Sequence, residues 1–277
     1  MDLEVKGPKV YYELPFDLPD SNIFTMKNLI TQTTISLLAV TIILMIVATL
    51  VTKRLTKRPG RLQVVAEKLV TMLYGLVEDT MGKHNARFAP YIGTLFISSM
   101  INTLLGMTGI LRSATADLSV TAAWAIVTTG MVWYNNIKNF GFKAWLKGFT
   151  EPIVVMTPMN IVSEIASPLS LAFRHFGNVA GGSVLTGLIY FALSAVSGLL
   201  FSWLPAGLSE IPFLAAGIPA FLSIYFDLFS GFVQALVFSL LTMVYVGGAC
   251  PPPEELPEAR RAILEKRKAR KLNKKTK

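Results

Sequence analysis

Residues 153–203 read IVVMTPMNIVSEIASPLSLAFRHFGNVAGGSVLTGLIYFALSAVSGLLFSW, and Glu164 and Arg174 are the only charged residues in this stretch. A bilayer core about 30 Å thick is crossed by roughly 20 apolar residues in a helix. At about 1.5 Å per residue, a continuous helix over this stretch would measure roughly 75 Å. We therefore expect a membrane segment that tilts strongly, breaks, or lies partly flat.

The composition places the whole chain in the same class. Of its 277 residues, 52% are hydrophobic and 16% are charged, and the mean hydropathy is +0.52. These values differ from those of soluble domains, and the length allows five or six crossings with short loops. One cysteine and two histidines give neither a disulfide nor a metal-ligand cluster, and the sequence contains no phosphate-binding loop. We expect an all-α polytopic membrane protein without a metal or cofactor.

Five apolar segments are long enough to cross a membrane: 26–51, 88–111, 118–137, 153–203 and 211–249. The last two are predicted to form long, strongly tilted helices. Residues 62–81 instead mix charged and apolar residues at helical spacing, which predicts an amphipathic helix on the membrane surface. We divide the chain into an external N-terminal segment (1–26), a single membrane domain (27–249) and a cytoplasmic basic tail (250–277).

The distribution of charge predicts the orientation. The net charge is +9, and residues 254–277 hold ten Lys or Arg against four Glu. The loop at 53–61, after the first crossing, is also basic. Since cytoplasmic loops carry an excess of basic residues, we expect the N-terminus outside and the C-terminus in the cytoplasm. The tail has no aromatic residues, so anionic lipid or a partner protein is favoured over nucleic acid, and a merely solvated tail stays open.

Arg174 is the most informative charge in the chain. An arginine at the centre of a membrane helix costs about 2.5–3.5 kcal/mol even on the lower insertion scales, so it needs an anionic partner or water. Asn178, four residues later, shares its helix face. An ion pair between helices is the alternative, purely structural interpretation.

Two further polar pairs lie in the same long apolar region. Asn160 and Glu164 are four residues apart, while Asp227 and Gln234 are seven apart, so each pair lies on one helix face. Polar residues aligned on one face of an apolar helix indicate either an ion or proton route or hydrogen bonding between helices. Glu164 lies on the cytoplasmic side of Arg174, and Asp227 lies in a segment that enters from outside.

Small residues and a histidine flank Arg174. Gly177 and Gly181 form a pair that allows another helix to approach closely, either within this chain or on a partner. His175 follows the arginine directly, and the sequence leaves open whether it is a local structural group or a relay.

The string SPLSLAFRHFGNVAG at 167–181 closely resembles the arginine-bearing helix of subunit a of F-type ATP synthases, whose usual form is P-x-S-L-x-x-R-x-F-G-N-x-x-A/G-G. FDLFSGFVQALVFSLLTMVYVGGA at 226–249 is similar to the last helix of that family. NIVSEIASP at 160–168 resembles the preceding segment, and SATADLSVTAAWA at 113–125 resembles an external turn and helix start.

This resemblance implies an ion-translocating subunit, with the proton as the expected ion, that forms two half-channels against a ring of c subunits and couples ion flow to rotation and ATP synthesis. The implied partners are the c-ring, the peripheral-stalk b subunits, the rest of the complex and membrane lipid. Such a subunit binds no nucleotide and is not an enzyme by itself. The implied location is a bacterial plasma membrane.

The resemblance also assigns roles to residues. Arg174 would be the stator charge that faces the c-ring carboxylate. The expected ion-pathway residues are Asp227, Gln234 and Ser183 on the outer side and Glu164 and Asn160 on the cytoplasmic side, with Asn178 and Gln234 supporting Arg174. Gly177 and Gly181 would pack closely against the rotor. Two positions depart from the family pattern: Ser183 stands where an acid or histidine is frequent, and His175 where an apolar residue is usual.

Two other functions stay open at this point. An independent secondary transporter would need a complete central site, and the sequence lacks the internal repeats typical of that class. A non-conducting assembly scaffold would use Arg174 only to pair with Asp227 or Glu164.

Overall fold

The structure is a computed structural model that describes residues 10–13, 28–53, 55–56, 59–108, 111–200, 224–258, 260–263 and 265. Over these residues the chain forms two short strands and seven α-helices. The strands are β1 (Val10–Glu13) and β2 (Asn28–Thr31). The helices are α1 (Gln32–Lys53), α2 (Arg61–Met81), α3 (Ala89–Met107), α4 (Leu118–Phe140), α5 (Phe142–Gly148), α6 (Thr157–Leu200) and α7 (Gly231–Gly248). A π-helix, Ile224–Ser230, precedes α7.

Four helical stretches are long and apolar enough to cross a membrane: Gln32–Lys53, Lys83–Met107, Val154–Leu200 and Leu228–Gly248. A helical membrane protein is therefore confirmed, but the number of five crossings is not. The helix predicted over 118–137 exists as α4, which is long enough to cross. It is the most polar of the five expected segments, because threonine and asparagine interrupt its apolar residues.

The first crossing begins later than predicted. Residues 28–31 form β2, which pairs antiparallel with β1, and the helix starts only at Gln32. The predicted start at residue 26 is wrong, and a short two-stranded pair precedes the first helix of an otherwise helical chain. Ile30 and Thr31 are β-branched and suit a strand, and a short apolar run does not by itself distinguish a strand from a helix.

The long helix predicted over 153–203 is α6, which spans 44 residues or about 66 Å. It continues through Pro168, which has no N–H to donate to the carbonyl of Glu164. A bilayer core is less than half this length, so a tilted or partly flat α6 stays the prediction. Of the segment predicted over 211–249, residues 211–223 lie outside the described part, and the amphipathic helix predicted over 62–81 is present as α2.

The chain divides into two compact units, of which the first comprises Met1–Leu55, Leu95–Thr121 and Phe173–Val237. Within this first unit, hydrogen bonds connect α1 to the segment before α4. The Thr33 hydroxyl donates to Asp117 Oδ2 (3.0 Å) and the Ser36 hydroxyl donates to the carbonyl of Arg112 (2.8 Å). Asp117 also accepts a hydrogen bond from the backbone N–H of Ser119, so it caps the start of α4.

The second unit comprises Thr56–Thr94, Ala122–Ala172 and Phe238–Lys277. Its core packs one side of α2 and the start of α3 against the end of α7: Val77, Met81, Phe88, Ala89, Ile92, Met243, Val246 and Cys250. The last carbonyls of a helix lack partners within the helix. Here Asn139 Nδ2 donates to the carbonyl of Ala249 (2.9 Å), and Asn85 Nδ2 donates to that of Cys250 (2.8 Å).

Candidate functional site

Arg174 lies on the open side of α6. Leu171, Ala172 and His175 are buried on one side of the helix, whereas Phe173 and Arg174 are exposed. Of the 18 most apolar consecutive residues in Val154–Leu200, only 11% are buried against other described residues. Within the described residues, the guanidinium of Arg174 makes neither a hydrogen bond nor an ion pair. The alternative in which Arg174 forms an ion pair inside this chain is therefore not seen in the part of the chain that the structure describes.

Asn178 and Gln234, which were predicted to support Arg174, are in direct contact. Asn178 Nδ2 donates to Gln234 Oε1 over 2.6 Å, and only 3% of the Gln234 side chain is exposed. The Gln234 Nε2 amide is also buried and makes no hydrogen bond to the residues described. Buried donors are almost always paired in native proteins. This arrangement leaves a hydrogen-bond donor next to Asn178, one helical turn from Arg174.

The glycines after Arg174 have open space around them among the described residues. Gly177 and Gly181 are both exposed, and a Cβ added at either position would meet no described atom outside the adjacent turns of its own helix within 4 Å. The sequence left open whether this pair serves packing within the chain or a partner surface. Close packing against a partner therefore stays a prediction for this pair.

Two predicted pathway residues are less informative. The Ser183 hydroxyl is exposed and donates to the carbonyl of Ala180 in its own helix (2.7 Å). The backbone of Asp227 belongs to the π-helix Ile224–Ser230, and its side chain lies outside the described part. Whether Asp227 approaches Gln234 is therefore still a prediction. π-Helical turns are rare and frequently occur at functional sites.

In the second unit, Asn160 and Glu164 line one cavity of about 680 Å³, as their spacing on one helix face predicts. Ser163 and Asn136 add further polar groups to its wall. Asn160 Nδ2 donates to the carbonyls of Phe149 (2.8 Å) and Glu151 (3.0 Å), which holds the segment before α6 in place. A cavity of this size with polar groups in its wall has room for water.

Sequence reasoning did not identify two residues of these sites. Trp133 donates a hydrogen bond from Nε1 to Glu164 Oε1 beside the polar cavity. Ser99, on α3, places its hydroxyl 3.0 Å from Nε2 of the fully buried His175. Each is an ordinary residue in an apolar helix, and only packing between helices reveals the contact. Over the described residues, no three His, Cys, Asp or Glu side chains lie close enough together to hold a metal ion.

Comparison with known proteins gives the family. The model of the family described as "ATP synthase A chain" matches residues 33–247, which include Arg174, Asn178 and Gln234. This chain belongs to the ATP synthase subunit a family. The resemblance stated from the sequence is thereby confirmed.

Relatives from three organisms match over most of the chain. "ATP synthase subunit a, sodium ion specific" of Propionigenium modestum is 31% identical over 92% of this chain and 89% of that protein. "ATP synthase subunit a" of Bacillus subtilis (strain 168) is 30% identical over 80% of this chain and 91% of that protein. The protein of the same name from Moorella thermoacetica is 31% identical over 71% of this chain and 80% of that protein.

Membership of the ATP synthase subunit a family establishes the class of this protein, the complex it belongs to and the type of membrane. The chain is a non-catalytic, multi-pass membrane subunit of the ATP synthase complex, and it takes part in membrane ion transport in the F0 sector. It is not an enzyme by itself. Its membrane is of bacterial type.

Proposed function

We propose that this chain is the stator half of the ion path, and that Arg174 faces the carboxylates of a rotating c-ring. The observation that supports this most is the exposure of Arg174 on the open side of α6, without an ion pair among the described residues. A membrane arginine requires compensation. A carboxylate carried by another chain would supply it, and Gly177 and Gly181 leave room for that chain to approach.

The electrostatics of such an encounter explain how ion flow is coupled to rotation of the ring. A cation within a few Å stabilises the ionised carboxylate, so a ring carboxyl that arrives beside Arg174 releases its ion. The same fixed charge repels a free cation and prevents direct flow between the two half-channels. Net transfer then requires rotation, driven by about 2.3 kcal/mol per elementary charge for each 100 mV of membrane potential.

The two half-channels use different residues in this proposal. Asp227, Gln234 and Ser183 line the outer path, and the cavity with Asn160 and Glu164 belongs to the cytoplasmic path. In this proposal the chain crosses a bacterial plasma membrane five times, with α4 as the third crossing, and the positive-inside bias puts the basic tail inside and the N-terminus outside. The c-ring and the peripheral-stalk b subunits are the proposed partners.

The proposed ion is the proton, and sodium is the second candidate. The name of the Propionigenium modestum relative, "sodium ion specific", favours sodium through its 31% identity over 92% of this chain. ATP-driven transport into vesicles that hold the purified complex separates the two ions. Acidification that continues at the same rate in sodium-free buffer supports the proton. Uptake of radioactive sodium that is unaffected by a protonophore contradicts it.

The role of Arg174 is tested by ATP-driven pumping in the same vesicles. Arg174→Ala should abolish pumping although the complex still assembles. Arg61→Ala is the matched control, because Arg61 is also exposed but lies at the start of the amphipathic helix α2. Pumping by the Arg174 variant at the rate of the control would instead support the scaffold interpretation. Transport by this chain purified without a ring would support an independent transporter.

A further inference from the structure

The contact between His175 and Ser99 bears directly on where Arg174 points. His175 is 0% exposed and Ser99 is 1% exposed, and the hydrogen bond between Nε2 and Oγ is 3.0 Å long. Both residues belong to the first compact unit. We propose that this buried hydrogen bond fixes the rotation of α6 about its own axis and thereby holds Arg174 on the open face; the inference rests on the proposed function of Arg174.

Helix geometry links the two positions. Successive residues of an α-helix are rotated by about 100° around the axis, so anchoring His175 towards the interior carries Arg174 away from that direction. The burial pattern agrees with this geometry, since the residues before and after Arg174 differ sharply. Phe173 is 48% exposed, whereas His175 is completely buried.

The described residues pack against only part of the surface of α6 near Arg174. A Cβ added at Gly177 or Gly181 would meet none of them within 4 Å, and much of the described helix surface is exposed. Apolar packing between membrane helices is weakly directional because lipid tails are as apolar as leucine. A hydrogen bond between two helices that otherwise make apolar contact has a fixed direction. Buried polar groups are known to set the register of packed helices in this way.

A second hydrogen bond restrains the same turn. Asn178 Nδ2 donates to Gln234 Oε1 on α7, while His175 pairs with Ser99 on α3. The two anchors stand one and four residues after Arg174 and connect α6 to two different helices. Since His175 acts through the orientation of its neighbour, it is a positioning residue in this proposal and does not itself contact the ion.

The first test measures orientation without transport. Nitroxide labels at residues 172, 173 and 177 of the full-length chain in phospholipid nanodiscs report oxygen accessibility by electron paramagnetic resonance, with Cys250→Ala removing the native thiol. We expect high accessibility at 173 and 177 and low accessibility at 172. Ser99→Ala and His175→Leu should reduce this contrast, because α6 then samples other rotations.

Matched variants distinguish loss of the hydrogen bond that positions Arg174 from general disruption of helix packing. Ser98→Ala removes a hydroxyl from the adjacent, half-buried position on α3 and should leave the pattern unchanged. His175→Gln retains a polar nitrogen at a similar reach and should restore the contrast that His175→Leu loses. An unchanged accessibility pattern in both Ser99→Ala and His175→Leu would overturn the proposed anchor.

The second readout is ATP-driven pumping by the assembled complex in vesicles. Ser99→Ala and His175→Leu should lower the rate about fivefold, the factor expected when one neutral hydrogen bond no longer holds the productive orientation. His175→Gln should recover most of the rate. If the accessibility pattern changes but pumping stays normal, the anchor stands and the proposed role of Arg174 fails.

Discussion

Asn178 Nδ2 and Gln234 Oε1 form a hydrogen bond of 2.6 Å that links α6 to α7 one turn beyond Arg174. Replacing either partner should lower pumping, and because they act as a pair the effects should not add. In a double-mutant cycle of Asn178→Ala and Gln234→Leu, the double variant should be little slower than the slower single variant. The expected coupling is about 1 kcal/mol, taken from the ratio of pumping rates. Strictly additive effects would show that the two side chains act independently.

The open space around Gly177 predicts a large side chain that harms function but not folding. Gly177→Leu should leave the unfolding temperature of the purified chain unchanged or slightly raised, because no described atom outside the adjacent turns of α6 lies within 4 Å of the new Cβ. In the assembled complex it should block close approach of the rotor and lower pumping strongly. Gly130→Leu is the control, since Gly130 on α4 is equally open and has no proposed partner. Equal pumping rates for these two variants would contradict a rotor contact at Gly177.

Gly231, the first residue of α7, predicts the opposite behaviour. A Cβ at this position would come within 2.3 Å of Thr103 Cγ2, so either the Thr103 side chain or the helices themselves must shift. Gly231→Ala should destabilise the chain by about 1–3 kcal/mol through overpacking. Gly130→Ala, in a helix interior without such a neighbour, should stabilise it by about 0.5–1 kcal/mol. Thermal unfolding in detergent measures both, and a Gly231→Ala variant as stable as Gly130→Ala would show that the close contact is absent in solution.

Cys250 provides a test of the second unit that depends on pH. Burial raises the pKa of the Cys250 thiol, and a hydrogen bond from Arg87 Nη2 to Sγ (3.8 Å) opposes this effect more weakly. A raised pKa means that less of the thiol is ionised at a given pH. Alkylation by iodoacetamide should therefore be slower in the folded chain than in the same chain unfolded in denaturant, and the midpoint of its pH profile should lie higher. A midpoint at or below that of the unfolded chain would contradict the packing around Cys250.

The sequence predicted those residues that can be recognised from their neighbours in the chain. Arg174, Asn178 and Gln234 stand out because polar groups are rare in apolar helices, and their spacing places them on helix faces. The structure then brings Asn178 and Gln234 into contact. The i, i+4 spacing of Asn160 and Glu164 likewise places both on one cavity.

Other features depend on which elements pack together, and sequence periodicity does not contain that information. Ser99 becomes informative only because α3 meets α6 at His175, and Trp133 only because its indole reaches Glu164. The strand at Asn28–Thr31 forms because β1, at Val10–Glu13, supplies an antiparallel partner. The helix α4 is long enough to cross a membrane, but its composition is not apolar enough to indicate a crossing, because its threonines and asparagines raise its polarity.

The central claim is that Arg174 is the charge that separates the two half-channels, and passive ion conductance tests it most directly. Vesicles holding the complex without its ATP-hydrolysing part are given a membrane potential, and dissipation of that potential through the wild-type and Arg174→Ala complexes is compared. We predict that Arg174→Ala leaks faster than wild type while ATP-driven pumping by the whole complex is lost. A leak no faster than that of wild type, together with normal pumping, would contradict the account.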